Sequence, residues 1–400
     1  MRAAHAADAP RPLYVVWEIT LSCDLACSHC GSRAGKARTG ELTTDEALDV
    51  IRQLAEMGAC EVTLIGGEAY LREDWLVIAA AIVERGMRCT MTTGGRGITQ
   101  KRAQALAAAG VSAVSVSIDG LSEAHDRQRN LVGSFDAAVR ALRHLREAKV
   151  PHTGNTQLNR LSVPDLDSVL DLLVAEGAQG WQVQLTVPMG RAADRPEWLL
   201  QPYELLELYP RLAALAKRGL TQGVRLWPAN NIGYFGPFES ILRNRGGEGP
   251  RAWQGCPAGK FALGIEADGT IKGCPSLPTA AWGGGNVREQ SLSRIWNETR
   301  ELRYTRDRDR TDLWGFCATC YYADECRGGC TWTAHSIFGK PGNNPYCHHR
   351  VLELAERGVR ERIELRAPAP GRPFDHASFE LVEEPWDGAT EARRRLPLAP

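Results

Sequence analysis

The residues best suited to chemistry in this chain are thiols. Cys23, Cys27 and Cys30 follow one another at x3 and x2 spacing in Cys23-Asp-Leu-Ala-Cys27-Ser-His-Cys30. Seven more, Cys256, Cys274, Cys317, Cys320, Cys326, Cys330 and Cys347, gather in the second half of the sequence. The N-terminus lacks the apolar stretch of a secretory signal, and no apolar run reaches the roughly 18–20 residues that cross a bilayer. A cytoplasmic location is the expectation, and thiols stay reduced there. Twelve cysteines in 400 residues then point to metal or cluster ligation rather than disulfides. Thiolates are soft ligands for iron–sulfur clusters or zinc. A structural zinc wants four ligands. Three cysteines would leave one iron of a four-iron cluster open to a small molecule. Cys317-x2-Cys320 alone would suit zinc, but the first cysteine motif on the same chain tips the balance to iron–sulfur.

The elements that must position these thiols come in a repeating pattern. The first apolar run, Leu13 to Ile19, ends just before Cys23. A helix follows, opened by a capping box of Thr43 and Glu46, with Leu48, Ile51, Leu54 and Ala55 at helical spacing and Gly58 as its stop. The unit recurs as strand Glu61–Ile65 with helix 72–85, and strand Arg88–Thr92 with helix 99–109. Strand Val111–Ile118 precedes helix 134–148. Strand Pro151–Leu158 precedes a helix capped by Ser162, with Pro164 in its first turn and Gly177 at its end. Strand Trp181–Val187 precedes a helix near 202–217. Six βα units imply a parallel sheet covered by helices, either partly closed into a barrel or doubly wound. Either form puts its site at the C-terminal ends of the strands.

The texture changes after about 220, where Gly, Pro, Asn and aromatic residues replace periodic segments. The organisation expected is a tail at 1–12, the βα region at 13–225, a linker at 226–250, and a cysteine-rich domain at 251–363 ending in a helix from 347. A mobile C-terminal tail without catalytic role would span 364–400. Basic and acidic side chains balance at 48 each, which argues against bulk nucleic-acid binding. Cys60 and Cys89, outside both groups, are expected as small core residues.

Further motifs stand after each strand in order. Gly66-Gly67-Glu68 follows the second, Thr92-Thr93-Gly94-Gly95 the third, and Ser117-Ile-Asp-Gly120 the fourth, with His125-Asp126-x-x-Arg129 soon after. Pro188-Met-Gly-Arg-Ala192 follows the sixth. Together with Cys-x3-Cys-x2-Cys, this ordered set resembles the radical S-adenosylmethionine (SAM) superfamily. The resemblance implies a partial (β/α)6 TIM-like barrel. Cys23, Cys27 and Cys30 would hold a [4Fe–4S] cluster whose open iron is chelated by SAM. The Gly66–Glu68 edge, Gly66, Gly67 and Glu68, would meet the SAM ammonium. Ser117 and Arg129 would bind its ribose and carboxylate end. Thr93 and the backbone at Val187 would flank ribose and adenine, and His29 would shield the cluster. Two departures are Ala69, where many relatives have proline, and the absence of Asn after Thr93.

The second cysteine field looks like the seven-cysteine SPASM extension of the same superfamily, which carries two auxiliary clusters. That implies Cys317, Cys320, Cys326 and Cys347 around a distal cluster. Cys256, Cys274 and Cys330 would hold a nearer one, making three [4Fe–4S] clusters in all. Positions 257–263 lack the extra cysteine of some relatives, so the nearer cluster would have an open iron or a non-cysteine ligand. Two auxiliary clusters suit oxidative chemistry after hydrogen-atom abstraction by a 5′-deoxyadenosyl radical. A flavodoxin or ferredoxin would be the electron donor.

Trp17-Glu-Ile-Thr and Cys27-Ser-His-Cys30 look especially like the mycofactocin-maturase branch, so a ribosomally made peptide is the expected substrate. Only a dozen residues precede the first strand, so the expectation is that any leader-recognition module is a separate protein or that the substrate is not a leader peptide. The alternatives are a haem-type or small-molecule substrate of cofactor biosynthesis, and a non-enzymatic iron–sulfur or zinc protein. Tyr234, Phe235, Trp332 and His335 are wall candidates for which core or loop packing is the plainer expectation.

Overall fold

The computed structural model describes residues 9–243 and 252–386. In chain order its first elements are β1 (Tyr14–Glu18), α1 (Thr44–Glu56), β2 (Glu61–Ile65), α2 (Trp75–Glu84), β3 (Arg88–Thr93), α3 (Gln100–Ala108) and β4 (Ala113–Ser117). Then come α4 (Ser122–Arg129), α5 (Ser134–Glu147), β5 (His152–Leu158), α6 (Leu166–Ala175), β6 (Gly180–Leu185), α7 (Leu205–Thr221) and β7 (Arg225–Pro228). The helices form for the reasons their sequences suggest. At α1 both halves of the capping box are made, and Ala47, Val50, Ile51 and Leu54 supply the buried stripe. The strands alternate: Val15 and Trp17 of β1, Val62 and Leu64 of β2, and Val114 and Val116 of β4 are buried in one core.

Strands β1 to β7 are all parallel and lie side by side in sequence order. A doubly wound sheet reverses its order at a switch point. Here nothing reverses, so right-handed crossovers put every helix on one face and curl the sheet around the other. This is the partial TIM-like barrel, with the strands' C-terminal ends at one mouth.

Two expected boundaries are corrected. Residue 225 does not end the barrel region: β7 runs into the expected linker, and Asn231, Ile232, Tyr234 and Glu239 beyond it are buried. Residues 244–250 of that linker lie outside the described residues. The cysteine-rich region is also not separate from the barrel. Its strands β8 (Ala262–Ile265), β9 (Thr270–Lys272) and β10 (Gly283–Asn286) extend the same sheet, β8 pairing parallel with β1.

The expected helix from 347 to 363 stops at Glu356, where Gly358 turns the chain with φ +72°. The following residues have a period of two and form β11 (Val359–Ala367), which pairs antiparallel with β12 (Ser378–Pro385). The expected tail from 364 is therefore folded as far as 386, with Phe374, Ala377 and Phe379 buried. Residues 387–400, with Arg393-Arg394-Arg395, lie outside the described residues. Cys89 is a core residue, as expected, but Cys60 is exposed, because it precedes β2 at the far end of the barrel. Among the described residues no helix is long and apolar enough to cross a membrane.

Candidate active site at the barrel mouth

The loop leaving β1 carries Cys23, Cys27 and Cys30, and neighbouring strand ends clamp its backbone. Gly67 N–H donates to Thr20 O at 2.9 Å and Glu68 N–H to Ser22 O at 2.7 Å. The approach is so close that a Cβ on Gly67 would lie 2.0 Å from Ser22 O, and one on Gly66 2.4 Å from Thr20 O. From the far side of the barrel, Arg191 N–H donates to Cys30 O, and the Arg191 guanidinium donates to Cys27 O and Ala34 O. A Cβ on Gly190 would lie 2.4 Å from Cys30 O. The glycines of two motifs thus serve the fit of loop to loop.

Each thiol of this loop accepts a hydrogen bond. Leu25 N–H reaches Cys23 Sγ at 3.4 Å and Ala34 N–H reaches Cys30 Sγ at 3.4 Å. Cys27 Sγ accepts instead from the Arg129 guanidinium at 3.6 Å. Burial, with Glu68 and the other two thiols adding their charges, pushes the Cys23 thiol up to about 12. A metal or cluster reverses this, since a coordinated thiol is held deprotonated.

Behind the loop lies a buried polar network that the motif reading did not foresee. Asp119, at the end of the β4 segment, is fully buried. Its carboxylate accepts from Arg129 and from Gln157 N–H at 2.8 Å, and lies 3.4 Å from His29 Nε2. Its backbone donates to His125 Nδ1 and accepts from the Gln128 side chain. Burial works against the Asp119 carboxylate, but Arg129 and the two histidines outweigh it and hold its pKa below the usual range. Burial lowers His29 to about 4 and His125 to about 3, so both are neutral near pH 7. Among the described residues, His29 Nδ1, His125 Nε2 and Arg129 Nε of this network have no hydrogen-bond partner.

The other expected cofactor residues take up places around this mouth. Glu68 is buried, and its carboxylate accepts from Thr93 Oγ1 and Gly94 N–H at 2.6 Å each, so Glu68 and Thr93 bind each other. Burial raises Glu68 to about 7. Ser117 ends β4, buried. Val187 packs with Met189, Phe374 and Trp332. The segment between β11 and β12 crosses here. Gly190 N–H donates to Asp375 O, Phe374 N–H to Gly31 O, and the Asp375 carboxylate pairs with Arg33 at 2.9 Å. Sequence reading missed Phe374 and Asp375, because their roles depend on a hairpin that brings residue 374 back to residue 31. Asp119 did carry a signal: an acid immediately after the apolar strand β4, inside a motif already noticed.

The second cysteine field forms two groups. Burial, with the neighbouring Cys256 and Cys274 adding to it, pushes the Cys330 thiol up to about 12. Cys317, Cys320, Cys326 and Cys347 line one small cleft with Phe235, Phe316, Tyr322 and His349. Tyr234 lies between the groups: its hydroxyl accepts from Cys330 N–H, and its carbonyl accepts from Cys347 Sγ at 3.8 Å. Of the wall candidates, Tyr234 and Phe235 pack here. Trp332 donates to Met189 Sδ at the barrel mouth, and His335 accepts from Trp282 Nε1 at 3.3 Å. Among the described residues no three His, Cys, Asp or Glu close around a position for a bare metal ion. The all-thiol donor sets, grouped three, three and four, fit polynuclear iron–sulfur centres.

Comparison with known proteins agrees in order along the chain. The family described as Radical SAM superfamily matches residues 17–173, and the one described as SPASM, an iron-sulfur cluster-binding domain, matches 256–321. The AdoMet-dependent heme synthase of Methanosarcina barkeri is 31% identical over 354 residues, 86% of this chain and 97% of the relative. The mycofactocin maturase MftC of Mycobacterium tuberculosis is 30% identical over 382 residues, 94% and 90% of the two chains. Streptococcus suis SuiB, solved with its precursor peptide SuiA, shares the fold with a TM-score of 0.64 at 17% identity, over 84% of this chain and 75% of that one.

Proposed function

Because this chain belongs to the radical SAM superfamily, in the branch with a SPASM extension, and is an enzyme using SAM and iron–sulfur centres, we propose that it oxidatively modifies a ribosomally made peptide. The observation that carries the oxidative part is the arrangement of thiols: three at the barrel mouth and seven in two further groups. When bound, the first cluster and SAM supply an electron and a 5′-deoxyadenosyl radical that takes a hydrogen atom from substrate. Cys23, Cys27 and Cys30 would hold that cluster. Cys256, Cys274 and Cys330 would hold one auxiliary cluster, and Cys317, Cys320, Cys326 and Cys347 the other. The unpartnered Arg129 Nε is a donor for the SAM carboxylate, and buried Ser117 a partner for its ribose. Glu68, tied to Thr93 and Gly94, keeps the Gly66–Gly67 backbone edge toward the SAM ammonium. Val187 offers an apolar wall to adenine, and neutral His29 covers the cluster.

Two features support a peptide. MftC, a maturase, aligns over almost the whole chain. The barrel rim also receives an extended segment through main-chain bonds, Met189 bridging His376 antiparallel. A protein of the cytoplasm, with a separate leader-binding partner and a flavodoxin or ferredoxin as donor, completes this reading. The heme synthase relative, at comparable identity, favours a second reading with an iron tetrapyrrole. Anaerobic turnover with dithionite and SAM separates them by mass spectrometry. Candidate precursor peptides should lose two hydrogens, or carbon dioxide plus two hydrogens. Loss of carbon dioxide and hydrogen from an iron porphyrin carboxylate, with peptides unchanged, would overturn the first reading.

A further inference from the structure

The three thiols of the first loop are not equivalent. Cys23 and Cys30 accept from neutral backbone amides at 3.4 Å, and Cys30 Sγ also lies 3.5 Å from the Ser32 hydroxyl. Cys27, the buried one, faces the charged Arg129 guanidinium instead. Arg129 is itself only 8% exposed. Such placement needs an anchor, and Asp119 is over-determined as one. Its backbone is gripped by His125 and Gln128, both on α4, and its carboxylate by Gln157 N–H on β5 and by Arg129. Asn159 in turn donates to the Gln128 side chain at 2.6 Å. Substrate binding alone would not require a guanidinium edge to point at a cluster ligand.

We infer that Arg129, positioned by Asp119, tunes the reduction potential of the first cluster through its hydrogen bond to Cys27. A cationic donor withdraws electron density from the thiolate, and its positive charge stabilises the extra negative charge of the reduced cluster. The step concerned is the transfer of one electron from a low-potential donor, dithionite in the test, to the oxidised cluster. No bond forms or breaks, and no proton moves. The potential is thereby raised toward what such a donor can supply. Arg129 Nε remains free for SAM, so one side chain touches both partners of the reductive cleavage.

The inference rests on the assignment of Cys23, Cys27 and Cys30 as ligands. That assignment has its own readout: the triple alanine variant should lose about four iron per chain whatever Arg129 does. The test itself is an anaerobic redox titration of the reconstituted enzyme without SAM, followed by EPR. The first cluster is identified as the part of the reduced signal that shifts when saturating SAM is added to the poised sample. In Arg129→Gln the ratio of reduced to oxidised first cluster at fixed potential should fall about tenfold, equivalent to about 59 mV for one electron. Arg129→Lys, which keeps the charge but cannot reach Asp119 and Cys27 together, should fall less. An unchanged ratio in Arg129→Gln, with only SAM affinity weakened, would overturn the inference. Should Arg129→Gln fail to load its cluster, Asp119→Asn, which removes the charged anchor of the guanidinium, is titrated in its place, and an unchanged ratio there overturns the inference.

Discussion

The two cysteine regions are built on opposite plans. The first loop is clamped by backbone bonds from the ends of β2 and the residues after β6, by Arg191, and by the buried Asp119–Arg129 pair. Around the four-thiol group, regular structure shrinks to four-residue helical turns, Phe316–Thr319 and Ala323–Cys326, with aromatic rings between them. Phe235 stacks on Tyr322 at 4.2 Å, and Tyr234 and Phe235 both hold left-handed backbone, at φ +81° and +58°. The difference teaches where order comes from. The first loop is held by many protein contacts, so the second field is expected to depend more on what its thiols bind.

The sharpest way to break this comparison is to remove ligands from each region. Cys27→Ala should reduce dithionite-dependent 5′-deoxyadenosine formation at least a thousandfold while leaving the barrel's circular dichroism intact. Cys347→Ala should leave SAM cleavage within about tenfold and abolish product formation from substrate. Next in size is iron removal by oxidation and chelation. Hydrogen exchange should then accelerate more than a hundredfold across 313–347, and little in β1 to β6, whose ladders lie in the barrel sheet. Equal loss of protection in both regions would show that the first loop is metal-dependent too.

Steric tests come next. Gly67→Ala places a Cβ 2.0 Å from Ser22 O, backbone that cannot yield, so a loss of at least 2 kcal/mol in chemical denaturation is expected. Gly58→Ala, where no atom lies within 4 Å, serves as the control that carries only the strain of φ +77°. Phe374→Ala removes a buried ring at the crossing of the hairpin and barrel mouth and should cost about 3 kcal/mol.

The smallest effect is electrostatic. Burial raises Glu68 from 4.5 to about 7. An acid with a raised pKa supports folding fully while protonated, below about 4.5, and that contribution is lost as pH rises through about 7. Relative to Glu68→Gln, the wild type should therefore lose roughly 2–3 kcal/mol of stability between those pH values, read from denaturation of the iron-free chain.

Much of this design was legible in the residues. The capping box at Thr43 and Glu46, the alternation in β1 to β6 and the glycine stops after the early helices are local signals, and the parallel sheet followed from them. The division of ten thiols into groups of three, three and four is what the resemblance implies. Other features were not legible, for specific reasons. Residues 359–365 alternate with period two, but they directly follow a helix and were absorbed into it. Glu68 sits in a motif that suggests a ligand contact, yet its carboxylate is consumed by Thr93 and Gly94. Asp375 carries no motif at all.

By itself, then, the sequence determined the chemistry available and the kind of sheet that presents it. Thiolates, glycines and hydrophobic periods act through residue type and short spacing, which the chain carries in any conformation. Only the tertiary structure decided that β8 joins β1 and that Phe374 returns to the cysteine loop. It alone turned a charged guanidinium, held by a buried carboxylate, toward Cys27 rather than Cys23 or Cys30. These are contacts between residues tens to hundreds of positions apart, and their energies depend on burial and direction that no local pattern encodes.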